Sequence, residues 1–325
     1  MVKKKVLAFY PNYMSFQSDI PGYLDVYRDL LEENTPEAEF FVCENREEVE
    51  KYAPEVEIAF VPHDFPQDLF KRMPKLEWIQ VMAAGVEHYI ENAEQFRNIP
   101  VCRIVGAHGK YMVEYVFAYL LHLSQDITRV LRAQTERQWD PFLPEFIHQK
   151  TLGIMGLGAV GTLVAERANG MGMRVISWDT VQRDTPFVHH QYKTYQMEEF
   201  LGESDYVLLT LPTTSQTTNL VNRDAFKAMK KSAYLINICR GLVVEERDLV
   251  EALKGNELAG AILDVVKEEP LPPGSELWDC PNLIISPHIS GPSVREDMIE
   301  FFKENFRRSF RKQPLVGLVD FERGY

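Results

Sequence analysis

The chain has 325 residues, 45% of them apolar and 26% charged, with a formal net charge of −13. That length and apolar share are enough for two domains with proper cores, and the acidic balance argues against a nucleic-acid backbone or an anionic membrane surface as partner. Cys43, Cys102, Cys239 and Cys280 show no C-x-x-C spacing and the eight histidines form no H-E-x-x-H or Cys/His cluster, which predicts reduced thiols, a cytoplasmic protein and no metal site.

The opening "MVKKKVLAFYPNY" begins with lysines, but its apolar run stops at Pro11, too short for a signal-peptide core. It reads instead as a first strand. No apolar segment approaches the roughly 20 residues that a membrane span needs. Further strands are expected at 39–42, 57–61, 78–81 and 101–104, with amphipathic helical segments such as 23–33 and 46–52 between them. A long helical pattern, 110–125, carries the aromatic stripe "YMVEYVFAYLLHL", expected to be the apolar face of a packed helix. It leads through a second helix to the loop "QWDPFLPEF". The rhythm then restarts with strands expected at 151–155, 174–178, 206–210, 233–237, 259–263 and 283–286, and a last helix at 294–311. Alternation of this kind predicts an α/β fold with doubly wound parallel sheets.

"TLGIMGLGAVG" places Gly156, Gly158 and Gly161 as G-x-G-x-x-G after a strand and at the opening of a helix. The first glycine permits the tight turn and the second lets backbone amides approach a pyrophosphate. The third lets helix and strand pack closely, and the helix N-terminus attracts the phosphate charge. Leu157, Ala159 and Val160 complete the expected cofactor loop. Asp179 closes the next strand, where a carboxylate accepts from an adenosine ribose and repels a 2′-phosphate. NAD is therefore expected, with NADP left open because Arg183 follows closely.

Three downstream segments, "LPTTSQTTNLVN", "INICRG" and "ILDVVKEEPLPPGSELWDCPNLIISPHISG", then matter together with "WIQVMAAGVEHY" upstream and "VDFERGY" near the end. In combination they resemble the D-isomer-specific 2-hydroxyacid dehydrogenases, including glyoxylate/hydroxypyruvate reductases, over nearly the whole chain. The resemblance implies two Rossmann-like domains with an active-site cleft between them. Residues 1–104 and 296–325 would form a discontinuous substrate-binding domain and 105–295 the NAD(P)-binding domain. It implies Arg240 as the arginine that grips substrate, Glu269 as the acid before a proline, and His288 as the proton carrier. Asp264 matches the acid that accepts from the nicotinamide amide, and Ala84 and Gly85 match the loop whose amides hold a substrate carboxylate. Leu211, Pro212 and Thr217, then Ile238, Cys239 and Gly291, are the further cofactor-binding positions. One departure is Glu87, where the family often has aspartate.

The chemistry is coherent by itself. A guanidinium binds a planar carboxylate bidentately, and a histidine beside a carboxylate carries a proton near neutral pH. The expected reaction is NAD(P)H-dependent reduction of a small 2-oxo acid to a (2R)-hydroxy acid, in a homodimer with contacts along 110–125 and the Trp139 loop. Two rival expectations remain: a non-catalytic NAD-sensing scaffold of the corepressor type, and a formate-type dehydrogenase. The latter places glutamine where Glu269 stands.

Overall fold

Parallel strands buried on both faces demand largely apolar runs, and the strands Ile58–Val61, Thr151–Met155, Tyr206–Leu209 and Gly260–Leu263 of this protein are buried along their whole length. The computed structural model describes residues 3–10, 23–33 and 35–325. Pro11, which ends the first apolar run, lies outside the described residues. By internal contacts the chain forms two compact units, Met1–Ala107 with Ser293–Tyr325, and His108–Pro292.

In the first unit, β1 (Lys4–Phe9), β2 (Ala38–Cys43), β3 (Ile58–Val61), β4 (Trp78–Val81) and β5 (Val101–Cys102) pair in parallel in the order β2-β1-β3-β4-β5. Helices α1 (Tyr23–Glu32), α2 (Arg46–Tyr52), α3 (Glu87–Glu91) and α4 (Ala93–Phe96) belong to the same unit. Apolar clusters form around Leu7, Val49, Phe70 and Phe96, and around Val6, Tyr27, Phe60 and Phe302, so both faces of the sheet are packed.

The second unit begins with α5 (Gly109–Ser124) and α6 (Ile127–Thr135), then alternates strand and helix. Its elements are β6 (Thr151–Met155), α7 (Ala159–Gly170), β7 (Arg174–Trp178), β8 (His190–Tyr192), α8 (Met197–Glu203), β9 (Tyr206–Leu209), α9 (Arg223–Ala228), β10 (Tyr234–Asn237), α10 (Glu246–Lys254), β11 (Gly260–Leu263) and β12 (Leu283–Ile285). All pairings are parallel, in the order β12-β11-β10-β9-β6-β7-β8. The order reverses between β6 and β9, and in such sheets the crevice beyond the strand C-termini at that point takes the ligand. Seven strands are present where the sequence predicts six. The extra one, β8, is a three-residue edge strand in which only Tyr192 is buried, so no apolar run marks it.

The chain finally returns to the first unit as α11 (Arg295–Phe310), whose Met298, Ile299, Phe302 and Phe306 are buried. A buried amide pair fixes it there. Asn305 Nδ2 donates to Gln80 Oε1 at 2.8 Å and to the Val316 carbonyl at 2.9 Å, and its Oδ1 accepts from the Val316 N–H. Each partner of that pair is satisfied, as buried polar groups must be. Among the described residues no helix is long and apolar enough to cross a membrane. All four cysteines are buried and free.

Candidate active site

The glycine loop sits at the switch point, after β6, and each glycine has its own physical reason. Gly156 has φ +97°, a left-handed backbone in which a Cβ would lie 3.0 Å from Leu211 and from the Thr210 carbonyl. A Cβ on Gly161 would come 2.4 Å from the Gly156 carbonyl, so helix α7 can approach the strand only with glycine there. Around Gly158 nothing lies within 4 Å of such a Cβ. That open side, at the N-terminus of the 12-residue α7, which begins with Ala159 and Val160, has the space and the partial positive charge that a pyrophosphate requires. Leu157 is buried in the core cluster that includes Val116, Ile154 and Val164.

Asp179, one residue past β7, reaches back to the same loop. Its Oδ2 accepts from the Leu157 N–H at 2.7 Å, and Oδ1 accepts from the Val181 N–H at 3.0 Å. The Thr180 hydroxyl also donates to Oδ1 at 3.3 Å, so of about four acceptor directions one, on Oδ2, is left for a ribose hydroxyl. After β9, Leu211 is buried and Pro212 half-buried. Thr217, in the loop that follows, is bonded within that loop. Its hydroxyl donates to the Pro212 carbonyl at 2.7 Å and accepts from the Thr214 N–H at 2.8 Å, so it shapes the loop from within.

Arg240 follows β10. The side chain of Asn237, fully buried at the strand end, accepts from the Cys239 N–H at 3.1 Å and donates to the Arg240 carbonyl at 3.0 Å. This cross-brace sets the turn through Ile238 and Cys239, both buried. Burial pushes the Cys239 thiol up to about 11, which makes it a packing group and no nucleophile. The Arg240 guanidinium donates from Nη1 to the Cys239 carbonyl at 2.7 Å. Gly241 beside it is required: a Cβ there would lie 2.0 Å from the Val266 carbonyl carbon. The tip of β10 therefore presses directly on the loop after β11.

That loop carries Glu269. Its Oε1 accepts from the Val266 N–H at 3.2 Å, and its Oε2 lies 2.7 Å from Nδ1 of His288, just past β12. The carboxylate accepts, so Nδ1 carries the proton and Nε2 is the nitrogen left to work. The hydrogen bond and charge of Glu269 raise the imidazole above its ordinary pKa of 6.5, against an opposing effect of partial burial and of Arg240. Burial alone would push the Glu269 carboxyl up. The imidazole more than reverses this and leaves it below the usual carboxylate range. His288 is held at φ +53°.

Asp264, 1% exposed, follows β11 directly and is spent largely on this loop. Its Oδ1 accepts from Ser286 Oγ at 2.7 Å and the Ile289 N–H at 2.8 Å, and its Oδ2 accepts from the Ser290 N–H at 2.9 Å. One direction on Oδ2 is left for a cofactor amide. Gly291 lies close to α5, where a Cβ would meet Met112 Cγ at 3.2 Å. The aromatic stripe of α5 is also more than an apolar face, because the Tyr115 hydroxyl lies 2.6 Å from Ser286 Oγ. Periodicity carries no signal for that contact. In the first unit, Ala84 and Gly85 occupy the bend after β4, partly exposed.

A sequence model described as the NAD binding domain of D-isomer specific 2-hydroxyacid dehydrogenase matches residues 117–290. A glyoxylate reductase of Korarchaeum cryptofilum is 30% identical over 273 residues, 82% of each chain. Among solved structures, a D-isomer specific 2-hydroxyacid dehydrogenase family protein from Aeromonas salmonicida superposes with a TM-score of 0.87 at 30% identity, covering 99% of this chain and 100% of that one. An NADPH-dependent glyoxylate/hydroxypyruvate reductase from Sinorhizobium meliloti, solved with NADP and sulfate, superposes at 0.86 with 26% identity and coverage of 99% and 100%.

Proposed function

Because this chain belongs to the D-isomer specific 2-hydroxyacid dehydrogenase family, and is thus an NAD(P)-dependent oxidoreductase, we propose that it reduces a small 2-oxo acid to the (2R)-hydroxy acid with His288 as its acid–base group. The observation that carries this reading is the 2.7 Å contact of His288 Nδ1 with Glu269 Oε2, at strand tips shared with Arg240. Substrates of the glyoxylate or hydroxypyruvate kind are favoured by the relatives' names.

When bound, the reduced nicotinamide supplies the hydride. His288, kept protonated by Glu269, donates from Nε2 to the carbonyl oxygen as negative charge develops there, and recovers that proton in the reverse direction. The forked donors of Arg240 hold the substrate carboxylate or polarise its carbonyl, and the Ala84 and Gly85 amides are assigned to a substrate carboxylate. Gly156, Gly158 and Gly161 with the first turn of α7 would hold the pyrophosphate, and Asp264 the nicotinamide amide. The Asp179 carboxylate supports NADH over NADPH. We accordingly read the first unit as the substrate-binding domain and the second as the cofactor-binding domain.

A homodimer is part of the same reading. On the second unit Trp139 is 96% exposed and Leu143 86%, beside the exposed apolar residues Ile127, Val130, Leu131 and Phe146. Concentrated apolar exposure of this kind marks an interface, and light scattering at twice the chain mass is the check. The central test is His288→Ala assayed with glyoxylate and NADH. It should turn over at least about a hundredfold more slowly while still binding NADH by fluorescence titration. Near-normal turnover would overturn the assignment.

A further inference from the structure

We infer that Tyr115, Ser286 and Asp264 form a positioning unit for His288, a hydroxyl–hydroxyl–carboxylate chain, buried at Ser286 and Asp264, that holds the 286–290 loop in the shape that delivers the imidazole to Glu269. The inference rests on His288 being the proton carrier.

The loop wraps around one residue. Besides the three bonds to its carboxylate, the Asp264 carbonyl accepts from the His288 N–H at 2.9 Å. Ser286, Ile289 and Ser290 are thus tied to the side chain and His288 to the backbone of Asp264, the residue after β11, a strand paired on both sides. His288 sits at φ +53°, in the left-handed region that residues with a side chain occupy uncommonly, and the bonds to Asp264 help to hold it there. Released from Asp264, the loop would relax toward extended backbone and carry Nδ1 away from Glu269.

The direction of the chain follows from donor bookkeeping. An ionised carboxylate only accepts, so the single Ser286 proton goes to Asp264, and Tyr115 must donate to Ser286. Burial pushes the Tyr115 phenol well up, so it keeps that proton throughout the working pH range. Each bond polarises the next in this partly buried setting. Tyr115 lies on α5, which links a 16-residue helix to the loop that holds the imidazole. The charged groups acting on His288 are Glu269, Asp264 and Arg240, and changing Ser286 or Tyr115 removes none of these charges.

The test uses Ser286→Ala, Ser286→Thr and Tyr115→Phe with glyoxylate and NADH as probes. Ser286→Ala should lower kcat by about tenfold or more, and Tyr115→Phe by roughly threefold, with KM for NADH within about twofold of the parent. In both, the high-pH limb of kcat should move to lower pH, because an imidazole that has left Glu269 loses its proton sooner. Ser286→Thr, which retains the hydroxyl, should restore rate and limb. In the cofactor-free protein, the downfield proton resonance of the His288 Nδ1–H should be present in the parent and in Ser286→Thr. It should broaden or vanish in Ser286→Ala.

Parent-like kcat, limb and resonance in Ser286→Ala and Tyr115→Phe would overturn the inference, and so would a loss that threonine fails to rescue. If Ser286→Ala does not fold, Tyr115→Phe and Ser286→Thr carry the decision. The two levels separate cleanly. An inactive His288→Ala beside a normal Ser286→Ala removes only the positioning unit, whereas an active His288→Ala removes the acid–base assignment itself.

Discussion

Replacing Glu269 by glutamine keeps the size and reach of the side chain and removes its charge. Glu269 Oε2 lies 2.7 Å from His288 Nδ1, and a charge-assisted hydrogen bond of that length contributes about 1.5–3 kcal/mol when desolvated. The two side chains are 50% and 38% exposed, and solvent screening at such sites brings the figure down to about 1–1.5 kcal/mol. If that energy serves to hold and charge the imidazole in the transition state, its loss corresponds to about a tenfold fall in kcat. The pH dependence has a definite sign. Glu269 raises the His288 pKa, and reduction needs the protonated imidazole, so the parent loses activity as pH rises through that raised value. Glu269→Gln should lose activity at lower pH than the parent. Initial rates of NADH consumption with saturating glyoxylate, taken across pH beside thermal melts of both proteins, supply the measurement. An unmoved high-pH limb in a folded variant with parent-like kcat would refute the coupling of carboxylate to imidazole.

Arg240→Lys retains the charge but loses the planar fork, and KM for the oxo acid should rise about tenfold with NADH affinity unchanged; a parent-like KM would remove Arg240 from the substrate. Asp179→Ser, which clears the carboxylate from the ribose position, should shift the NADPH to NADH ratio of kcat/KM by about tenfold toward NADPH. An unchanged ratio in parallel assays would show that another group sets the preference. Gly241→Ala would put a methyl 2.0 Å from the Val266 carbonyl carbon, and the overpacking should destabilise the fold by about 2–3 kcal/mol. Urea titration followed by circular dichroism reads this, and a parent-like midpoint would mean that the two loops have room to separate.

Much of the frame is legible in the sequence because buried parallel strands and glycine loops leave local signatures. The runs at 151–155 and 78–81 coincide with β6 and β4, since strands covered on both faces cannot alternate polar residues. The glycine fingerprint gives the position of the tight turn between β6 and α7, because φ +97° at Gly156 and the close approach at Gly161 exclude side chains. Strand β8 escapes notice, for His190-Gln191-Tyr192 at a sheet edge buries one side chain and needs no pattern. Thr217 is legible as a polar residue in the right loop, but nothing local tells that its hydroxyl closes on Pro212. Tyr115 is the clearest case of hidden information. Spacing assigns it to a helix face, whereas its partner Ser286 lies 171 residues away in the chain. Contacts of that range belong to the folded topology, and no window of sequence contains them.

The bare α-carbon of Gly241 against Val266 also bears on how this enzyme can change. Two segments that touch backbone to backbone cannot drift apart by small steps, since any added atom on one is felt at once by the other. The arginine and the carboxylate behind the imidazole therefore travel as one machined part. New substrate preferences have to be written elsewhere, in loops free to lengthen or swap side chains, while this junction stays as it is.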